Sequence, residues 1–208
     1  ERGFTKIYSI TNPAVQNYTW ERPEGFPDII RISLTEPILP GDKASFNFLY
    51  QVKIPSEKFT RFGYDEQGNY KLKYWYITPA VFDGEWKIFS DKNLGNQYTV
   101  PANYKIKLTT PPSLYVGTVL KTDRFFTDNG FMTTYLSGKN QVNPQLYLTR
   151  TYRLETLDVN SKLLLTSVED DGLILGMKGM IINRILKFLE TRLGAYPHEA
   201  IMVTREDY

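Results

Sequence analysis

Apolar and polar residues alternate with period two through roughly the first 160 positions, which limits most of the chain to pleated sheet with one wet face. Residues 29–34 and 45–52 alternate most regularly, and Pro40-Gly41-Asp42 between them reads as a tight turn. Residues 70–77, 104–108 and 145–152 repeat the pattern, with loops at Gln67-Gly68-Asn69, Pro111-Pro112 and Asp128-Asn129-Gly130. The pattern predicts a mainly β protein whose residues 1–163 form an antiparallel β domain, either a β-sandwich or a saddle-like arrangement of several sheets.

The period changes near the end of the chain. Ile181, Ile182, Ile185, Leu186, Leu189 and Leu193 recur at three- and four-residue spacing within an amphipathic pattern over 177–193 and predict a helix that starts between Lys178 and Ile181 and ends at Leu193. Gly194 suits a left-handed helix end, and Lys187 and Arg192 lie where the helix dipole favours positive charge. Tyr196-Pro197 then turns the chain into a short strand over 200–204. Residues 164–208 therefore read as linker, helix and strand, the opening of a second unit. Tyr208 follows too soon for a fold begun there to bury its own core, so the chain is expected to be a piece of a longer polypeptide, with Glu1 a cut or processed end.

Charge and composition narrow the function classes. Lys and Arg number 25 against 23 Asp and Glu, with no basic run, so the sequence offers no electrostatic footprint for nucleic acid or anionic lipid. No apolar stretch is long enough for a membrane-spanning helix. The chain has no cysteine, which removes disulfides, thiolate nucleophiles and Cys-based metal sites and leaves a cell-envelope and a cytoplasmic location equally open.

Catalytic constellations are sparse. His198 is the one histidine, and His198-Glu199-Ala200-Ile201-Met202 departs from a zinc-binding His-Glu-x-x-His helix at its last position and runs into β-prone residues. Glu169-Asp170-Asp171 reads as a solvated acidic turn, and Asp83, Glu85 and Asp91 could contribute to a polar site. Tyr74, Trp75, Tyr76, Phe82 and Trp86 form an aromatic cluster; as a strand, Tyr74 and Tyr76 would face one way and Trp75 the other. Lys71, Lys73 and Lys87 are expected on a wet face.

Several of these stretches carry a family resemblance. Ile38-Leu-Pro-Gly-Asp42, Phe46-Asn-Phe-Leu-Tyr50 and Val52-Lys-Ile-Pro55 resemble the amino-terminal β domain of the M1 zinc metallopeptidases, the aminopeptidase N type of gluzincin. Arg61-Phe62-Gly63-Tyr64, Tyr74-Trp-Tyr-Ile-Thr-Pro-Ala-Val81 through Trp86, and Asn103-Tyr-Lys-Ile-Lys-Leu108 are similar in order and spacing to bacterial members. Ile185-Leu-Lys-Phe-Leu-Glu190 and Leu193-Gly-Ala-Tyr-Pro197 resemble the opening of that family's thermolysin-like catalytic domain. The family's Gly-x-Met-Glu-Asn and His-Glu-x-x-His motifs are not in the chain, and Tyr76-Ile77-Thr78-Pro79 lacks the Gln or Glu that many members use to hold a substrate's free amine.

The resemblance implies a non-catalytic part of a zinc aminopeptidase, with no cofactor in this chain and zinc in the parent enzyme. The implied partners are the remainder of its own polypeptide and the parent's peptide substrates, with no nucleic acid and no membrane segment. Tyr76, Thr78, Asp83 and Trp86 would form a wall of the peptide cleft, and Ile181, Ile185 and Leu189 the interface to the catalytic domain. The competing expectation is a stand-alone β-sandwich that binds carbohydrate or protein through Tyr74, Trp75 and Trp86.

Overall fold

Asn129 and Gly130 both adopt positive φ, 48° and 78°, the mirror-image turn whose twist matches that of the strands it joins. That turn closes the longest hairpin in a computed structural model that describes residues 3–58, 60–88, 99–169 and 176–205. The chain divides into two units, the first comprising residues 1–56 and 75–100 and the second residues 57–74 and 101–208.

In chain order the first unit contributes β1 (Phe4–Thr11), β2 (Thr19–Glu21), β3 (Arg31–Ser33) and β4 (Asn47–Lys53). The second supplies β5 (Gly63–Tyr64) and β6 (Tyr70–Leu72) before the chain returns to the first for β7 (Val81–Asp83) and β8 (Glu85–Lys87). The second unit continues with β9 (Ala102–Thr110), β10 (Tyr115–Gly117), β11 (Lys121–Asp128), β12 (Phe131–Gln141), β13 (Leu146–Thr149), β14 (Glu155–Val159) and β15 (Lys162–Thr166). Helix α1 (Lys178–Leu193) and β16 (Ala200–Val203) follow. The architecture is mainly β, with several small sheets, antiparallel but for one pair, and a single helix followed by a short strand among the described residues.

In the first unit β1 pairs with β4 from Phe4↔Lys53 to Thr11↔Asn47, with a bulge between Ile7 and Ser9. Ile10 on β1 is its buried anchor. β2 pairs with β3, and β7 with β8. In the second unit the sheets run β11-β12-β9, β10-β13-β6-β5 and β14-β15-β16. Leu136, Leu146, Tyr147 and Leu148 are buried on these strands, and the Tyr147 hydroxyl lies 2.8 Å from Thr204 Oγ1 just past β16.

The helix and last strand share a core with the hairpin before them. β16 pairs in parallel with β15, from Leu163↔Ala200 to Thr166↔Val203. Val159, Leu164 and Leu186 are buried together, and Leu157, Ile182, Ile201 and Val203 pack around them. Residue 163 thus lies inside β15 rather than between elements. The Lys178 ammonium, on the buried face of the first helical turn, pairs with the Glu155 carboxylate on β14. At the other end the Gly194 N–H donates to Glu190 O at 3.0 Å, and its φ of 94° is the positive-φ exit that glycine takes at little cost.

Two further expectations are corrected. The run 70–77 is not one strand: β6 ends at Leu72 and Tyr74 takes φ 54°, which breaks the pleat, so alternation does not govern Tyr74, Trp75 and Tyr76. Lys71 and Lys73 are not simply solvated. The Lys71 side chain is 13% exposed and donates to Glu57 at 2.9 Å, while the Lys73 ammonium lies over the Phe62 and Tyr74 rings at 5.1 and 5.3 Å.

Gly117 and Gly138 in this unit leave no room for a side chain. A Cβ on Gly117 would sit 2.6 Å from Leu154 Cδ1 and 3.2 Å from its Cγ. Gly117→Ala is therefore expected to cost ~1–2 kcal/mol through displacement of Leu154. Urea denaturation of the variant would read this as a lowered midpoint, and an unchanged midpoint would show that Leu154 moves aside freely.

Candidate functional site

Asp83-Gly84-Glu85 is the turn that organises the 76–86 segment. Gly84 takes φ 71°, a conformation that costs a glycine little, and lets β7 and β8 pair as Val81↔Lys87, Phe82↔Trp86 and Asp83↔Glu85. The segment read as a loop is therefore a short hairpin. Phe82 and Trp86 pack edge to face across it, centroids 5.1 Å apart at 67°, and both remain exposed.

Cross-strand pairing also sorts the expected wall residues. Phe82 and Trp86 share one face of the hairpin, and Val81, Asp83, Glu85 and Lys87 share the other, so Trp86 and Asp83 project in opposite directions. Two carboxylates facing each other are unfavourable; the Lys87 ammonium, 2.8 Å from Glu85 Oε1, offsets one of them. Upstream, Tyr76 packs against Trp75 at 5.1 Å and 75°, and Thr78 is half-buried. The structure thus joins Asp83 and Trp86 on one hairpin and sets Tyr76 against Trp75. Asp91 lies outside the described residues.

On α1 the apolar residues fall into two stripes. Ile182 and Leu186, one turn apart, face the β14-β15-β16 core. Ile181 is half-buried beside them, while Ile185 is 51% and Leu189 41% exposed, and Phe188 stands exposed next to both. The helix therefore carries more apolar surface than its own unit covers.

His198 belongs to a loop, not a helix. Its Nδ1 lies 3.1 Å from Gln141 Nε2, and its ring meets Tyr196 edge-on at 5.4 Å. The Lys162 ammonium donates to the carbonyls of Tyr196 and His198 at 2.9 and 3.1 Å and so fixes the path into β16. Burial pushes the Tyr196 phenol up. Glu169 pairs with Arg205 at 2.9 Å, and Asp170 and Asp171 lie outside the described residues. Among the described residues no three His, Asp or Glu side chains converge on a point where a metal ion could sit.

A polar hub that the sequence reading passed over lies in the 65–69 turn. Asn69 is fully buried; its Nδ2 donates to Asp65 Oδ2 at 2.7 Å and Thr151 Oγ1 at 3.1 Å, and its Oδ1 accepts from the Arg150 N–H at 2.7 Å. Burial alone would raise the Asp65 carboxyl, but hydrogen bonds from the Asn69 side chain and from the Asn69 and Gln67 N–H groups, with Lys71 nearby, outweigh it and hold the group below its ordinary value. The Asp-x-x-Gly-Asn spacing was the available signal, since such residues bond the backbone of their own turn.

No family model matches the sequence, and no curated protein matches it. Solved structures do. An M1 zinc metallopeptidase from Deinococcus radiodurans superposes with TM-score 0.58 at 16% identity. A point mutant of the enzyme from that organism gives TM-score 0.62 at 15% identity, and a mutant described as bound to a Tyr-Ser-Ala substrate gives 0.58 at 15%. Each match covers 96% of this chain and 46% of the other. The chain has the fold of part of an M1 zinc metallopeptidase. At this identity the likeness is one of fold, and the chain spans less than half the length of those enzymes.

Proposed function

We propose that this chain is the non-catalytic β domain of an M1-like zinc peptidase, together with the first helix and strand of the catalytic domain, and that it packs against the rest of that polypeptide. The observation that supports the reading best is the match over 96% of the chain to 46% of zinc metallopeptidases of known structure. The exposed Ile185 and Leu189 on α1, with half-buried Ile181 beside them, fit the interface to the remainder of the enzyme, because a self-sufficient sandwich would bury such a stripe within itself. The exposed Trp86 and Phe82 pair would supply an apolar contact on the cleft side, and Tyr76 and Thr78 polar ones, with Asp83 turned to the opposite face of the hairpin. Boundaries at 163 and 164 remain part of this proposal.

Zinc belongs to the parent in this reading. The described residues do not form a site that fits it: His198 is engaged with Gln141 in a loop, and a catalytic zinc needs three protein ligands and an open position. No chemical step through zinc therefore falls to these residues.

Metal analysis of the isolated chain should find no stoichiometric zinc, and peptidase assays no turnover above background. One tightly held zinc per chain would overturn the reading. In an active polypeptide containing this segment, Trp86→Ala should raise KM several-fold with little change in kcat, because it removes a contact made equally in ground and transition states. An unchanged KM would take Trp86 out of the cleft.

A further inference from the structure

The sheet β11-β12-β9 gathers charge that looks scattered in the sequence. Its three strands carry Lys105, Lys107, Lys121, Arg124 and Lys139 against Asp123 and Asp128, a greater excess than the +2 of the whole chain. Register explains the convergence. Ser137 on central β12 is flanked by Lys105 and Lys121, and Tyr135 by Lys107 and Arg124, so four cations share one face in two rows. All four are exposed, and no ion pair involves them among the described residues.

The same face changes character toward the hairpin tip. The next row places Phe126 beside Thr133, and the last pairs Asp128 with Phe131; Phe126 and Phe131 are both exposed. Phe125, on the opposite face of the edge strand, is exposed as well. The surface is thus cationic over its body and aromatic at its end.

We infer that this face binds an anionic lipid surface, with Lys105, Lys107, Lys121 and Arg124 meeting the headgroups and the Phe126 and Phe131 rings entering the interfacial layer. An anionic bilayer spreads negative charge laterally, and it takes up aromatic rings at headgroup depth. Single-stranded nucleic acid would instead need open ring faces on the sheet, and the Arg124 guanidinium lies over the Tyr135 ring at 4.1 Å, while Phe126 is tilted 31° to that ring at 6.2 Å. An acidic peptide would want a groove, or would add along the edge of β9 or β11 rather than lie on this face. The inference is independent of the peptidase reading.

The test is co-sedimentation of the full chain with vesicles of phosphatidylcholine alone and of phosphatidylcholine mixed with phosphatidylserine. The expected result is binding to the mixed vesicles only, weakening as salt rises. Lys105→Glu with Lys107→Glu should reduce the partition coefficient by roughly tenfold or more, and Phe126→Ser with Phe131→Ser should reduce it with the salt dependence retained. Circular dichroism and urea midpoints check that each variant is folded, and Lys105→Gln with Lys107→Gln replaces the reversal if that variant is not. Equal binding to both vesicle types, no binding to either, full binding by the folded lysine variants, or tighter binding to a single-stranded oligonucleotide or a poly-glutamate peptide would each overturn the inference.

Discussion

Leu164→Ala is expected to destabilise the second unit by about 3 kcal/mol, the range found when a buried leucine is cut back and its site collapses only in part. Leu164 is fully buried between Val159 and Leu186, with Ile182, Ile201 and Val203 around them, so its side chain joins β14, β16 and α1 at one point. Its neighbour Leu163 lies on the opposite face of β15 and is exposed, which makes Leu163→Ala an internal control with an expected change of about 0.5 kcal/mol or less. Urea unfolding followed by far-ultraviolet circular dichroism measures both. Equal effects of the two substitutions would mean that the helix and last strand do not share a core with β15.

Asn69→Ala should cost ~2–4 kcal/mol, since it removes hydrogen bonds to an ionised group and leaves the Arg150 N–H and the Asp65 carboxylate in a partly buried turn without that partner. The loss should also depend on pH. Asp65 is held below its ordinary carboxyl value in the folded state, so the stability it contributes is present above the unfolded value near 3.8 and disappears as pH falls through the folded one. The gap between wild type and Asn69→Ala should therefore narrow as pH falls below the ordinary carboxyl value of about 4. A gap of constant size through that fall would assign the effect to packing alone.

The elements that sequence periodicity captured are those whose pattern is local. The helix ending at Leu193 and the strand at 104–108 fall on α1 and β9 because each burial pattern repeats within a few residues, whereas the run 145–152 contains only the four residues of β13, all buried, with no wet face. Pairing partners are not local. Nothing in residues 200–204 announces that β16 lies parallel to β15. The hairpin of β14 and β15 turns on Asn160 and Ser161 at φ 53° and 63°, a weaker signal than the usual Asn-Gly.

The site residues divide in the same way. Asp83-Gly84 was a hairpin signal, and once β7 and β8 are recognised, strand alternation alone separates Trp86 from Asp83. The positive φ at Tyr74 could not have been anticipated, because an aromatic residue there is held by its surroundings and not by preference. The lysines of β9 and β11 looked evenly dispersed because some fifteen positions separate the two clusters, and only β12 brings them onto a common face.

The first unit is interrupted: residues 57–74 leave it to supply β5 and β6 to the second, and the chain then comes back. No single scission separates the two units cleanly, and a peptide ending at residue 100 would retain β5 and β6 of the β10-β13-β6-β5 sheet without the β13 partner of β6. During synthesis those two strands must wait until β13 has emerged, so premature termination anywhere between them strands a pleated edge with nothing to zip against.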